Sequence, residues 1–337
     1  MEKPSTKPLT ETLNASGIFA PLKNHLAALD AFLEEQVQEF APAARESLRY
    51  TFTHRGKRLR PALVFFSGWE DAETVSPELV RAAATVELIH LATLVHDDIL
   101  DDAKIRHSSP TLFAKYGSHT AVLLGDAIFA HALKLMSDFD AVELCRALAS
   151  ATREICTGEI WQTAERGNAS ISLDDYFGMI QMKTGELFEV SALLGATLDG
   201  GGIEKGKAFA KFGRHLGRAY QIFDDIIDYL GDENAIGKTL GTDLSSGKFT
   251  LPEILFLQKL SPEARERFLA DVAAGTLGIK EVVSQMRDAG IFDESRAYFL
   301  KETQLAADAL APYADTEGAK HLLAMSDFVA SQVRKIS

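Results

Sequence analysis

The sequence predicts an all-α fold in a single domain, residues 18–337, behind a flexible polar leader at residues 1–17. Three observations predict this fold. Beyond the leader, apolar residues recur at helical spacing through nearly the whole chain, beginning with Phe19, Leu22 and Leu26. No alternating segment rich in β-branched residues competes with the helical interpretation, and no repeat of fixed period occurs. Several segments are apolar on most faces, which is typical of helices in the middle of a large bundle.

Turn-forming residues divide the chain into the predicted helices. The breaks lie at Ser76-Pro77, Ser109-Pro110, Gly167-Asn168, the run from Asp199 to Gly202 and the loop from Gly231 to Gly247. The long helices predicted between these breaks cover residues 60–70, 77–103, 111–139, 141–166, 173–198 and 206–231. Shorter helices are expected from residue 250 to residue 335.

The composition excludes several classes of function. The 337 residues are 46% hydrophobic and carry 35 basic against 48 acidic side chains, a net charge of -13. This balance disfavours nucleic acid and anionic lipid as partners. The two cysteines, Cys145 and Cys156, form neither a disulfide framework nor a zinc site, and we expect both to be small core residues in a reducing compartment.

The sequence gives no sign of export or membrane insertion. The N-terminus lacks the apolar stretch of a signal peptide. No run of about 18 uncharged apolar residues occurs, so we expect no transmembrane segment. The expected location is the cytoplasm.

A cluster of aspartates interrupts one of the most apolar predicted helices. Asp97 and Asp101 are four residues apart and stack on one helix face, and Asp98 and Asp102 form a second such pair. Like charges at this spacing repel, and a hard divalent cation such as Mg²⁺ would neutralise them. A solvated helix end would explain this cluster equally well if it stood alone.

A second cluster of the same pattern decides between these interpretations. Asp224, Asp225 and Asp228 interrupt another apolar helix, and Gln221 lies one turn before Asp224 on the same face. Two Asp-Asp-x-x-Asp boxes in core-type helices are hard to explain as solvated surface. If the boxes face each other, their six carboxylates require several cations between them, so the sequence predicts a metal site there.

Basic residues flank both boxes. They are Lys57, Arg58, Arg60, Arg106, Lys183, Lys238 and Lys248. Arginine suits bidentate pairing with an oxyanion and lysine supplies a point charge, so together they are suited to diphosphate groups. No Walker-type Gly-x-x-x-x-Gly-Lys-Ser/Thr loop is present, and hydrolysis of nucleoside triphosphates has no support.

At these residues the chain resembles the trans-isoprenyl diphosphate synthases, or polyprenyl synthetases, of the medium- and long-chain type. The resemblance extends from about residue 50 to residue 255, and the last 80 residues carry no signature of the family. The motifs that carry it are Gly56-Lys-Arg-Leu-Arg-Pro61, the segment from Leu88 to Asp98, Gly158-Glu-Ile-Trp-Gln162, Lys183-Thr-Gly-Glu-Leu187, the segment from Gly217 to Asp225, and Gly247-Lys-Phe-Thr-Leu-Pro252.

The resemblance implies a bundle of isoprenoid synthase type around a deep central cavity, a homodimer, and a requirement for Mg²⁺, with three ions when substrate is bound. The allylic diphosphate (geranyl, farnesyl or geranylgeranyl) would lose its diphosphate to give an allylic cation. The alkene of isopentenyl diphosphate would add to that cation, and loss of a proton would give a chain five carbons longer. The implied metal ligands are Asp97, Asp98, Asp101 and Asp224, with Asp225 and Asp228 supporting them or acting through water. These four ligands, Lys183 and Gln221 would carry catalysis.

The resemblance also divides the basic residues between two substrates. The allylic diphosphate would be held directly by Arg106, Lys183 and Lys238, with further contacts from Thr184, Gln221 and Lys248. Isopentenyl diphosphate would lie against Lys57, Arg60 and His90. His107 stands where the family usually has a second arginine, and a neutral imidazole would grip this co-substrate less strongly.

The same resemblance bears on product length. The growing chain would extend beside the first-box helix, past Ala92, Thr93 and Ile89, towards a floor of Phe129, Leu133 and Met136. Because Ala92 and Thr93 are small, we expect a product longer than C20, between C25 and C40. Two alternatives remain open at this point: a class I terpene cyclase or head-to-head condensing enzyme, and a non-catalytic partner subunit of a prenyl synthase.

Overall fold

The computed structural model describes residues 17–53, 58–106, 109–231 and 240–333. Within these ranges the chain is almost entirely helical, which confirms the predicted all-α class. The predicted leader lies outside the described residues except for Gly17. The assignment of residues 18–337 to a single domain stays a prediction.

Sixteen α-helices lie within the described ranges. They are α1 (Lys23–Val37), α2 (Arg45–Thr53), α3 (Leu59–Ser67), α4 (Pro77–Leu100), α5 (Leu112–Tyr116), α6 (Ser118–Ser137), α7 (Val142–Ala164), α8 (Leu173–Ile180), α9 (Glu186–Ala196), α10 (Gly202–Leu230), α11 (Thr242–Ser245), α12 (Leu251–Lys259), α13 (Pro262–Ala273), α14 (Ile279–Asp288), α15 (Ile291–Leu310) and α16 (Glu317–Val333). Short 3₁₀ turns at Ala20–Leu22, Pro42–Ala44 and Ala311–Tyr313 join some of them.

Besides the end of α4 at Leu100, where residue 103 was predicted, the structure departs from the predicted helices at three places. A pair of two-residue antiparallel strands, β1 (Ile105–Arg106) and β2 (Ser109–Pro110), follows the first box where we expected only helix and loop. The predicted helix 111–139 is divided into α5 and α6 at Gly117, because this residue has a φ of 82° that a helix does not accommodate. The predicted helix 173–198 passes through a π-helical segment, Gln181–Gly185, between α8 and α9, and its end enters a second one, Thr197–Gly201.

Helix α4 lies at the centre of the bundle and carries the first box at its C-terminal end. Ser76 caps its N-terminus by accepting a hydrogen bond from the Leu79 amide, and Pro77 occupies the first helical turn. Helices α3 and α6 pack against α4, and α10 packs against α9 and α15. Glycines allow the closest of these approaches, since a Cβ on Gly213 would lie 2.4 Å from the Phe188 carbonyl oxygen.

Two helices, α4 and α6, are long and apolar enough to span a membrane when judged by length and composition alone. In α4, 72% of the apolar window is buried inside the protein, as befits a central helix. In α6 the buried share is only 39%, so much of its apolar surface lies on the outside of the chain. This exposed face bears on assembly.

The prediction that both cysteines belong to the core is wrong for Cys156 and holds only in part for Cys145. Cys145 is half-buried, and Cys156 is exposed. Cys156 lies on the outward side of the amphipathic helix α7, together with Arg153, Thr157 and Ile160. Apolar neighbours in sequence did not identify that side, because α7 also exposes some of its apolar residues.

Candidate active site

The first box lies at the end of α4, and only part of it is helical. Helix α4 ends at Leu100, Asp101 caps it, and Asp102 adopts a left-handed conformation with a φ of 49°. The predicted stacking of Asp98 with Asp102 on one helix face is therefore wrong. The Asp102 side chain instead pairs with Lys104, with 2.7 Å between Oδ1 and Nζ.

Asp97 is the first-box aspartate that has no cationic partner among the described residues. It is half-buried, and its carboxylate makes no hydrogen bond or ion pair with any residue that the structure describes. Burial raises the pKa of the Asp97 carboxyl to about 6, against the opposing effect of the nearby Lys183 ammonium. A carboxylate in such a position is suited to a cation that comes from outside the chain.

Asp98 and Asp101 have arginine and lysine partners. Arg106 donates from Nε to Asp98 Oδ1 at 2.8 Å. Asp101 Oδ1 accepts from Arg166 Nη2 at 2.8 Å and from Lys248 Nζ at 3.1 Å. Burial alone would raise the pKa of Asp101, but these two cations outweigh it and hold that pKa below its ordinary value. For Asp98 burial prevails over Arg106, so its pKa is raised.

The second box lies inside α10, where Asp225 is fully enclosed. Tyr176 donates its hydroxyl to Asp225 Oδ2 at 2.5 Å, and Gln221 donates from Nε2 to Oδ1 at 2.9 Å. Thr184 in turn donates its hydroxyl to Gln221 Oε1 at 2.8 Å. Burial raises the pKa of Asp225 to about 8. Both oxygens of this carboxylate are thus occupied by neutral donors of the protein.

Asp228 is bound in the same manner, whereas Asp224 faces outward. Thr242 donates its hydroxyl to Asp228 Oδ1 at 3.0 Å, and the Asp243 amide donates to Oδ2 at 3.2 Å. Asp228 is only 1% exposed, while Asp224 is exposed. This geometry favours Asp224 as the second-box residue that reaches a metal, with Asp225 and Asp228 in support.

Lys183 projects from the π-helical segment between α8 and α9. Its Nζ lies 2.5 Å from Glu159 Oε2 and donates to Gln162 Oε1 at 2.8 Å. Burial alone would lower the pKa of Lys183, but the Asp97 and Glu159 carboxylates raise it above its ordinary value. The π-helical segment thereby places this lysine beside the first box, which agrees with the frequent occurrence of such segments at functional sites.

The two boxes converge on one region. Lys248 follows the second box in sequence, yet it contacts Asp101 of the first box. Lys248 also lines a cavity of about 20 Å³ together with Gln162, Gln221 and Asp225. That volume is about what one water molecule needs.

The residues present fit a divalent metal only in combination with further oxygen ligands. Within the described ranges, no group of three or more His, Cys, Asp or Glu side chains lies close enough together to hold a metal ion by itself. Among the described residues the carboxylate of Asp97 nevertheless has no direct partner, and carboxylate oxygens are what Mg²⁺ prefers. Diphosphate oxygens of a substrate would complete such a site.

Of the predicted residues for isopentenyl diphosphate, the structure describes Arg60 and His90. Arg60 lies in the first turn of α3 with its guanidinium 4.9 Å from the centre of the Phe188 ring, and its Nε is buried with no hydrogen-bond partner among the described residues. His90 lies half-buried on α4, seven residues before Asp97. Three further predicted site residues lie outside the described residues: Lys57, His107 and Lys238.

The predicted chain-length residues lie on α4 and α6. Ala92 and Ile89 are buried in α4, and Thr93 is half-buried with its hydroxyl donated to the His90 carbonyl. On α6, Phe129 and Met136 pack against the core, whereas Leu133 is 38% exposed. The single chain therefore does not enclose Leu133, and its place in the floor stays a prediction.

Four residues that the structure brings to the boxes were not predicted from the sequence. They are Glu159, Gln162, Arg166 and Tyr176. Glu159 and Gln162 belong to one of the motifs that carry the resemblance, so the sequence pointed to them but gave them no role. Arg166 and Tyr176 stand outside every motif, and only the folded structure brings them to the boxes.

Comparison with known proteins agrees with this geometry. The sequence profile of the family described as polyprenyl synthetase matches residues 41–286. The all-trans-nonaprenyl-diphosphate synthase (geranyl-diphosphate specific) of Rhodobacter capsulatus is 34% identical over 87% of this chain and 90% of its own. Component 2 of the heptaprenyl diphosphate synthase of Bacillus subtilis is 35% identical over 70% of this chain and 68% of its own. Among solved structures, a decaprenyl diphosphate synthase from Rhodobacter capsulatus superposes with a TM-score of 0.85 at 29% identity, covering 95% of this chain and 99% of that one.

Proposed function

The chain belongs to the polyprenyl synthetase family, and we propose that it condenses isopentenyl diphosphate with an allylic diphosphate to give a polyprenyl diphosphate longer than C20. One observation carries the proposal. Lys248 contacts Asp101 of the first box and lines one cavity with Asp225 of the second, and the half-buried Asp97 carboxylate has no direct partner in the described part of the chain. Such a site suits a metal-bound diphosphate.

The residues of the chain divide the work of the reaction. Asp97, Asp98, Asp101 and Asp224 would hold Mg²⁺, which when bound supplies positive charge to the leaving diphosphate. Lys183 and Arg106 orient the diphosphate and stabilise the charge that develops on it as the C–O bond breaks. Arg60 and His90 hold the co-substrate so that its alkene lies within reach of the allylic cation. The apolar walls of the bundle keep water from that cation.

Arg60 separates this function from that of a terpene cyclase. A cyclase acts on one diphosphate and has no use for a second cationic pocket. The Nε of Arg60 is buried and has no hydrogen-bond partner among the described residues, which supports a second anion beside it. Both boxes are complete in sequence, which favours a catalytic chain over a silent partner subunit.

An assay with radiolabelled isopentenyl diphosphate tests the proposal. The chain is incubated with Mg²⁺ and geranyl, farnesyl or geranylgeranyl diphosphate, and the products are resolved by chain length. Metal-dependent products longer than C20 would support it. A cyclic hydrocarbon formed without isopentenyl diphosphate would identify a cyclase, and no product unless a second polypeptide is added would identify a partner subunit.

The product length depends on the small residues below the first box. Ala92 is fully buried on α4, five residues before Asp97, and relatives named for nonaprenyl and heptaprenyl products support a long chain. Ala92→Phe should shorten the product towards C15–C20, because the ring would fill the path of the growing chain. Ala92→Ser, which changes the volume little, is the matched control. An unchanged product distribution in Ala92→Phe would contradict this assignment of the path.

The exposed apolar face of α6 supports a homodimer. Val122 is 42% and Leu123 69% exposed, and Ile160 on the neighbouring helix α7 is 70% exposed. A second copy of the chain would cover this face and also Leu133. Leu123→Glu should lower the mass measured by analytical ultracentrifugation from that of a dimer to that of one chain, whereas Ile203→Glu, at an exposed position on α10, should not. An enzyme of this kind would work in the cytoplasm.

A further inference from the structure

Asp101 pairs with two cations, Lys248 and Arg166, although one carboxylate carries only one negative charge. Lys248 already lies 3.1 Å from Asp101 Oδ1, and Arg166 Nη2 adds a second cation at 2.8 Å from the same oxygen. One carboxylate neutralises one of these cations. The second cation can therefore pair with an anion that binds beside Asp101.

The Arg166 side chain also has an unused donor. Its Nε is buried and finds no hydrogen-bond partner in the part of the chain that the structure describes. The side chain is 30% exposed, so the guanidinium lies at the boundary between the protein and the open site. A buried N–H group without a partner costs free energy, and a ligand oxygen would satisfy it.

The backbone fixes Arg166 beside Lys248. Arg166 lies in the turn that follows α7, and the next residue, Gly167, has a φ of 81°. The Gly167 amide donates to the Gly247 carbonyl oxygen at 2.8 Å, and Gly247 immediately precedes Lys248. A Cβ on Gly247 would lie 3.2 Å from the Gly167 nitrogen, so glycine permits this close contact. Two loops that are distant in sequence thereby present their cations as a pair.

We propose that Arg166 is a further diphosphate-binding residue of this site. Its guanidinium pairs with Asp101 and therefore competes with the metal for that carboxylate. That the anion is a diphosphate rests on the proposed function. A guanidinium offers a fork of donors to diphosphate oxygens, and the pairing with Asp101 keeps that fork at the site when no anion is bound. The same pairing occupies an oxygen that a divalent cation would otherwise take.

Two binding measurements test this role, because they are expected to move in opposite directions. In Arg166→Gln, inorganic diphosphate with Mg²⁺ should bind about tenfold more weakly by titration calorimetry, since a charge-assisted hydrogen bond is lost. Mn²⁺ alone, followed by electron paramagnetic resonance, should bind about two- to fivefold more tightly, because a competing cation is removed. Arg166→Lys, which keeps the charge without the fork, should fall between wild type and Arg166→Gln in diphosphate binding.

The controls separate this role from a structural one. Arg153→Gln is the matched control, because it also removes one positive charge. Arg153 lies on α7, its side chain is 74% exposed and it pairs with Glu154, so its loss should change neither affinity. Unchanged diphosphate binding in Arg166→Gln, or weaker binding of both diphosphate and Mn²⁺, would overturn the proposal. Inorganic diphosphate can bind in the absence of prenyl transfer. A wild-type chain that binds it and makes no polyprenyl product would therefore contradict the proposed function and not the role of Arg166.

Discussion

The two aspartate boxes share one sequence pattern, yet different kinds of partner surround them. In the first box, Asp98 and Asp101 are held by the long cationic side chains of Arg106, Arg166 and Lys248. Each of these ion pairs has one partner that is more than a third exposed, Arg106 at 38% or Asp101 at 36%. A carboxylate held in this way can give its oxygens to another cation.

In the second box the partners are short, neutral and fixed. Asp225 accepts from Tyr176 and Gln221, and Asp228 accepts from Thr242 and a backbone amide. These donors belong to elements packed around α10, so the bonds fasten one segment to another. We therefore expect the first box to bind and release cations, and Asp225 and Asp228 of the second box to hold the site together.

The largest effect should follow the loss of charge at Asp97. Asp97→Asn should lower the rate of prenyl transfer by about a thousandfold or more, roughly 4 kcal/mol in the barrier, because a metal ligand is lost. The melting temperature should not fall, since an amide is easier to bury at this position than a carboxylate. Turnover at saturating Mg²⁺ and thermal melting are the two measurements. A near-normal rate would show that Asp97 does not hold the metal.

Asp228→Asn should affect stability more than Asp97→Asn does. One of its two donors, the Thr242 hydroxyl or the Asp243 amide, would then face an NH₂ group, so a buried polar group would be left unsatisfied. We expect a loss of about 2 kcal/mol in the free energy of unfolding, measured with urea at an unchanged m-value. Asp327→Asn, at an exposed position of α16, is the matched control. Equal stability of the Asp228 and Asp327 variants would contradict the fastening role.

The sequence predicted the fold class and the positions of the main helices because helical periodicity is a local signal. It also identified both boxes, since aspartates in apolar segments are conspicuous. It did not predict the helix end at Leu100, which depends on the left-handed conformation of Asp102. The break at Gly117 was missed for a similar reason, because it depends on the φ of that one residue. The strand pair before α5 has only two residues in each strand, too few for an alternating pattern to be recognised.

The different environments of the boxes could not be predicted from their shared pattern. Tyr176 is 49 residues from Asp225 in sequence, and Lys248 is 147 residues from Asp101. Contacts over such separations depend on the packing of whole helices. The sequence shows which residues carry charge. The tertiary structure decides which aspartates pair with cationic side chains and which accept hydrogen bonds from neutral donors.

A smaller effect should follow removal of the Tyr176 hydroxyl. Tyr176→Phe leaves Asp225 Oδ2 without its donor, and we expect a loss of about 1–2 kcal/mol in the free energy of unfolding. The turnover number should fall by less than about tenfold if Asp225 positions Gln221 and does not itself bind the metal. Tyr298→Phe is the control, because Tyr298 makes no hydrogen bond through its hydroxyl to any residue in the described ranges. A loss of turnover as large as that of Asp97→Asn would place Asp225 among the metal ligands.

The smallest effect expected is a difference in salt dependence between the two boxes. Arg106→Gln removes an ion pair whose arginine is 38% exposed, whereas Thr242→Val removes a neutral hydrogen bond to Asp228. Raising the ionic strength from about 0.05 M to about 0.5 M shortens the Debye length several-fold and weakens the first interaction more than the second. The stability cost of Arg106→Gln should therefore shrink by up to about 0.5 kcal/mol over this range, and that of Thr242→Val should stay constant. Urea unfolding at both salt concentrations measures the two costs, and equal salt dependence would show that both boxes are held by the same kind of interaction.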